Sequence, residues 1–113
     1  GRFLDHLDRD GVLSRSVVII TSDHGEFLGE MGLIDHQIGL YEPVLSVPLI
    51  IRPPDGVLLP NTPDRPTQTI DIAPTVLDLV GISIPKAVQG RSLLHDGQGP
   101  SVAQHYADEH IRG

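Results

Sequence analysis

The stretch IITSDHGEFLGEMGLIDHQIGLYE, residues 19–42, begins as an apolar strand and then turns acidic and histidine-rich, with Asp-His at 23–24 and again at 35–36. Val17-Val18-Ile19-Ile20 is an unbroken β-branched run. Such a run predicts a strand buried on both faces, as in a parallel sheet sandwiched by helices. In open α/β sheets, ligands bind beyond the carboxyl ends of the strands. Asp23 and His24 fall at that place, and Gly25 lets the chain turn there through conformations that other residues resist. Adjacent Asp and His side chains past a strand end can converge on one ion. A carboxylate oxygen with a neutral imidazole nitrogen suits a divalent cation. The same two residues also read as an ordinary strand-end turn, with Asp bonded to local amides and His in solvent. The pair alone leaves both readings open.

Outward from this stretch the chain reads as helix, strand, loop, strand, helix. Phe3, Leu4 and Leu7 recur at helical spacing, and Asp10-Gly11 ends that helix. Val47-Pro48-Leu49-Ile50-Ile51 is a second apolar strand. Pro48 has no backbone donor, so it belongs at the strand's start or where no ladder bond is needed. Residues 53–66 carry Pro53, Pro54, Pro60, Pro63 and Pro66, with Gly56 and Asn61 between them, and read as an exposed loop. Thr69 to Val80 predicts a helix capped by Thr69 or Asp71, with Pro74 in its first turn, and Gly81 as the stop. Ile72, Val76, Leu77 and Val80 give it one apolar face. The tail from Gly97 has weak periodicity and receives no assignment. The order of elements fits part of an α/β sheet. Two strands do not make that sheet alone, and the chain starts without Met in the middle of a helical pattern. The expectation is a piece of a longer protein.

Composition narrows the chemistry. With 8 basic against 15 acidic residues, the net charge is −7. That argues against a nucleic-acid partner, which needs a basic face, and is compatible with a cation site. With no cysteine, a metal site must use oxygen and imidazole ligands. No apolar run approaches the ~20 residues of a membrane span, and the first residues do not form a signal peptide.

Several ordered motifs go further than any of these. SDHGE (22–26) is followed by GE-x-GL (29–33), H-x-x-x-LYE (36–42) and VPLIIRPP (47–54), then by IDIAPT (70–75) and GRSLL (90–94). Together they resemble the sulfatase family of the alkaline-phosphatase-like superfamily, over nearly the whole chain. The resemblance implies an α/β fold of that type. It also implies that residues 1–113 are the later part of a catalytic domain, ending as the C-terminal subdomain begins. It implies a metal-dependent sulfuric ester hydrolase acting on a small-molecule or carbohydrate sulfate ester. The close alternative is a phosphonate or phosphate ester hydrolase, or a phospho-group transferase, of the same superfamily. The alternative of a different class is a noncatalytic cation-binding or interaction module.

The resemblance also assigns residues. Asp23 and His24 match the family's second pair of metal ligands, with calcium the expected ion and magnesium or manganese the alternatives. His36 falls where the family places a Lys or His that contacts the sulfate ester. There it would stabilise charge or protonate the leaving alcohol. Glu26, Glu30 and Asp35 read chiefly as solvated loop carboxylates, and otherwise as partners that bond His24 or a basic group. Tyr41-Glu42 reads as a loop anchor. His105 to His110 holds two His and two carboxylates, but a His pair five apart shares a helix face poorly. That segment, His6 and His95 carry no metal assignment. The family's nucleophile is a formylglycine made in a C/S-x-P-x-R motif. Here Ser46-Val47-Pro48 and Ser83-Ile84-Pro85 carry the first three positions, but Ile50 and Ala87 stand where Arg belongs. The formylglycine and the first metal pair are therefore expected upstream, and the chain alone is expected to be inactive.

Overall fold

The computed structural model describes residues 1–36, 39–60 and 66–95. In chain order the elements are α1 (Arg2–Arg9), β1 (Val18–Thr21), β2 (Phe27–Leu28), β3 (Ile34–Asp35), α2 (Glu42–Leu45), β4 (Leu49–Arg52) and α3 (Ile72–Leu79). Short 3-10 turns occur at Leu13–Arg15, Glu30–Gly32 and Thr69–Asp71. Among the described residues the chain divides into two compact units, one built from Gly1–Ile20 with residues 49–60 and 66–95, the other from residues 21–36 and 39–48. Asn61, Pro63, the tail from Gly97 and the segment His105–His110 lie outside the described residues.

In the first unit, β1 and β4 pair as a two-stranded sheet. Both strands lie within two residues of the expected runs, and Pro48 falls just ahead of β4, where no ladder bond is needed. The expected burial on both faces is not seen. Ile20 and Ile50 stay 49% and 57% exposed, because no further strand or helix among the described residues covers them. Arg52 fastens the end of β4. Its guanidinium donates to the Leu13 carbonyl at 2.7 Å and to the Asp55 carboxylate at 2.9 Å, while the Asp55 N–H donates to the Ser14 carbonyl at 2.8 Å. α1 ends at Asp10, and Gly11 follows with φ 66°, as a left-handed C-terminal turn requires. His6 pairs with Asp10 one helical turn on, and His95 with Asp78. Both are ordinary surface pairs.

The expected helix from Thr69 is present as a 3-10 turn running into α3, with Pro74 buried in its first turn. The cap differs from expectation. Asp71 stands at the N-cap of α3, but its side chain makes no cap bond to that helix; its carboxylate instead accepts the Gln68 N–H at 3.2 Å, from the third position of a capping box on the 3-10 turn. Asp71 is buried, and its other oxygen accepts the Arg91 N–H at 2.9 Å. Thr75 is fully buried beside it. The Thr75 hydroxyl donates to the Asp71 carbonyl at 2.6 Å and accepts the Leu93 N–H at 2.9 Å. Ser92 donates to the Asp78 carboxylate at 2.5 Å. IDIAPT and GRSLL are therefore two sides of one polar clasp. A Cβ on Gly90 would overlap the Ile70 carbonyl, which is why glycine stands there.

Thr75→Val keeps the shape of that side chain and removes its hydroxyl, leaving the buried Leu93 N–H without its acceptor. In the full-length protein it is expected to lower unfolding stability by about 1–3 kcal/mol in urea melts. Thr75→Ser should keep most of that stability, and equal losses in both variants would show that the methyl group and not the hydrogen bond matters.

In the second unit, β2 and β3 pair antiparallel, with Phe27 opposite Asp35 and Leu28 opposite Ile34. The connecting loop uses positive φ at Gly29, Met31 and Gly32. The Glu30 carboxylate accepts the Leu28 N–H at 2.7 Å and holds the loop closed. Phe27 is fully buried and meets the Tyr41 ring edge-on at 5.8 Å, so Tyr41 anchors the loop as expected. α2 is a single turn that opens with Glu42-Pro43, a position where the missing proline donor costs nothing.

Candidate functional site

The site is built entirely within the second unit. After β1, residues Ser22 to Gly25 form a tight polar turn. The Ser22 hydroxyl donates to the His24 carbonyl at 2.7 Å, and the His24 N–H donates to the Asp23 carboxylate at 3.0 Å. The Gly25 N–H donates to the Val44 carbonyl at 2.7 Å, which seats the turn on α2. Gly25 is not among the residues with positive φ. Its role is close approach: a Cβ there would overlap the Pro43 carbonyl. This corrects the expectation that glycine was needed for its backbone freedom.

The turn also fixes the imidazole of His24. Its Nδ1 lies 2.9 Å from the Gly25 carbonyl. A carbonyl only accepts, so Nδ1 carries the proton and the neutral ring presents its lone pair at Nε2. Nε2 lies 3.8 Å from Asp23 Oδ1, and both side chains are open to solvent. The bond from the His24 N–H holds the Asp23 carboxyl below the usual carboxylate range. The His24 imidazole is raised above its ordinary value, chiefly by its bond to the Gly25 carbonyl, with Asp23, Glu26 and Asp35 adding to it against partial desolvation. An ionised carboxylate and an oriented Nε2 lone pair form a donor set that fits a divalent cation. Two donors each about 2.3–2.6 Å from one calcium ion span up to roughly twice that distance, and 3.8 Å lies inside this span.

His36 joins this pair through β3. Its ring stacks on His24, with centroids 4.1 Å apart and planes 26° from parallel. The His36 N–H donates to Asp35 Oδ1 at 2.6 Å, and Asp35 adopts a left-handed backbone with φ 82°. A non-glycine residue in that region is uncommon and clusters at functional positions. His36 Nδ1 lies 3.3 and 3.4 Å from the two Glu26 oxygens and 3.0 Å from Asp35 Oδ1. Glu26, Asp35 and His36 each offer one ligand atom within 4.8 Å of the others. Asp23, His24 and His36, the three site residues read from the sequence, thus lie together. Glu26 was not singled out as a site residue. Its signal is the antiparallel register of the hairpin, which no local pattern displays.

Comparison with known proteins follows the same lines. The sulfatase family model matches residues 1–82. The N-acetylglucosamine-6-O-sulfatase of Bacteroides thetaiotaomicron is 40% identical over 93 residues, 82% of this chain and 16% of that protein. Arylsulfatase K of Bos taurus is 34% identical over 109 residues, 96% of this chain and 19% of that protein. The solved structure of BT4656 in complex with its substrate D-glucosamine-2-N,6-O-disulfate superimposes with a TM-score of 0.75 at 34% identity, over 96% of this chain and 24% of that one. This chain thus spans a sixth to a quarter of the length of these relatives. The likeness bears out the α/β fold of the alkaline-phosphatase-like type. No described helix is long and apolar enough to cross a membrane.

Proposed function

The chain belongs to the sulfatase family, and on that premise we propose that it is the later part of a catalytic domain that hydrolyses sulfuric esters, ending as the C-terminal subdomain begins. The observation that carries this reading is the turn at residues 22–25, which orients the His24 Nε2 lone pair beside the Asp23 carboxylate and stacks His36 against it. Asp23 and His24 are taken as two ligands of a divalent cation, with calcium as the ion. Such an ion supplies positive charge beside the reacting ester oxygens and the nucleophile. The nucleophile, a formylglycine, is assigned to another part of the full-length protein.

In this scheme Asp23 contributes negative charge and a hard oxygen. His24 contributes a nitrogen whose tautomer is set by the Gly25 carbonyl. His36 sits beside the metal pair without displacing it, and from there it donates a proton to the departing alcohol or stabilises its charge. The substrate is a carbohydrate sulfate ester. The 6-O-sulfatase among the relatives and the disulfated glucosamine bound by the structural neighbour support an amino-sugar sulfate.

The full-length protein, purified with calcium, should release sulfate from 6-O-sulfated N-acetylglucosamine. It should act much more slowly on the corresponding 6-phosphate. A preference for the phosphate ester would overturn the sulfatase reading in favour of a phosphoester hydrolase. Turnover of neither, with metal bound, would favour a noncatalytic cation-binding module.

A further inference from the structure

The β2–β3 register has a consequence for His36. Phe27 stands opposite Asp35 in the antiparallel ladder, so the next rung outward places Glu26 opposite His36. Directly opposed residues on an antiparallel pair have side chains within reach of one another. The His36 Nδ1 accordingly meets both Glu26 oxygens, at 3.3 and 3.4 Å. Asp35 Oδ1 lies 3.0 Å from Nδ1 as an ion-pair contact and accepts the His36 backbone N–H at 2.6 Å, but the ring's hydrogen bonds run to Glu26. Among the described residues, no hydrogen bond reaches His36 Nε2. We propose that Glu26 is a positioning residue, holding His36 as the Nδ1–H tautomer with Nε2 free to face the ester oxygen.

This proposal rests on the reading of His36 as the group that contacts the ester. A carboxylate has only acceptors, so a bond from Nδ1 requires the proton on that nitrogen. The other ring nitrogen, Nε2, is then the one that takes up a proton and passes it to the departing alcohol. Gly29 and Gly32 permit the loop that closes the ladder, and the Glu30 carboxylate accepts the Leu28 N–H at the end of β2. The hairpin therefore sets the distance between Glu26 and His36, residues ten apart in sequence.

The test uses the full-length protein with calcium bound. Glu26→Ala, Glu26→Gln, His36→Ala and the double variant Glu26→Ala/His36→Ala are assayed on a sugar sulfate, with metal content measured in each. Nitrogen-15 NMR of labelled histidine reads the tautomer of His36. Glu26→Ala is expected to lower kcat about 10–100-fold, with KM and metal content close to those of the parent. Glu26→Gln keeps a neutral acceptor and should lose less. His36 should change from the Nδ1–H form to a mixture of tautomers in Glu26→Ala, and the double variant should be no slower than His36→Ala alone. An unchanged His36 tautomer in Glu26→Ala, or additive losses in the double variant, would overturn the proposal. So would a loss of bound metal in step with activity, which would make Glu26 a ligand. Full activity in His36→Ala would instead overturn the role of His36, while the tautomer measurement still decides whether Glu26 holds the ring.

Discussion

Replacing His36 by alanine in the full-length protein is expected to cut kcat by ~10²–10⁴ on an alkyl sulfate while leaving bound metal near its normal level. The reason is positional. The His36 ring lies against the His24 ring, not between the Asp23 and His24 donor atoms, so its loss removes a proton donor or a charge without removing a ligand. The loss should shrink for nitrophenyl sulfate, whose leaving group departs as a stable anion and needs little protonation. His36→Lys should retain more activity than His36→Ala if charge stabilisation dominates, since an ammonium group supplies charge but does not reproduce the imidazole's proton exchange near neutral pH. Steady-state kinetics over a series of leaving groups, with metal content assayed in each variant, separate the cases. Equal losses across the series would rule out the acid role and leave charge or positioning. No loss would make His36 an ordinary loop histidine.

Asp23→Ala and His24→Ala are expected to lower both divalent-ion occupancy and ester hydrolysis, each by an order of magnitude or more, because outer contacts alone already cost about 10–100-fold at metal sites. The fold should survive. Asp23 is largely solvent-exposed and its bonds stay within the turn, while the turn itself is seated on α2 by the Gly25 N–H and the Val44 carbonyl. Thermal melts of the metal-free variants should therefore lie close to that of the metal-free parent. Metal content by plasma emission and sulfate release on the same samples check the pairing of the two losses. Normal turnover with a full complement of metal in either variant would remove that residue from the ligand set.

How much of this was legible in the sequence depended on the range of the interaction. β1, β4 and α3 announce themselves through short apolar runs and one helical apolar face, and Pro48, Pro74 and Gly81 sit where their backbone limits predict. Asp23 and His24 were legible because a strand end and a polar pair are local features. The β2–β3 hairpin was not. Its strands are two residues each, too short to show a period of two, and its signal is Gly29 and Gly32 between Phe27-Leu28 and Leu33-Ile34. With the hairpin went the meaning of Glu26, which reads as a solvated carboxylate until the register brings it opposite His36. α2 was hidden by Pro43, which suits a helix start as well as a loop. Gly25 illustrates a different limit. Its identity is plain in the sequence, but the cause is a carbonyl from eighteen residues away in the chain, and no local rule reports that approach. Burial on both faces of β1 and β4 was overestimated because the run records what a complete sheet covers, and the described residues supply two strands of it.

The central claim is that the turn after β1 carries two ligands of the catalytic metal. It is tested most directly by a crystal structure of the full-length protein grown with manganese in place of calcium, with anomalous scattering locating the ion. The expected result is one strong anomalous peak within coordination distance of both Asp23 Oδ1 and His24 Nε2, with His36 beside the ion but not bound to it. A peak centred on Glu26, Asp35 and His36, or none at Asp23 and His24, would contradict it.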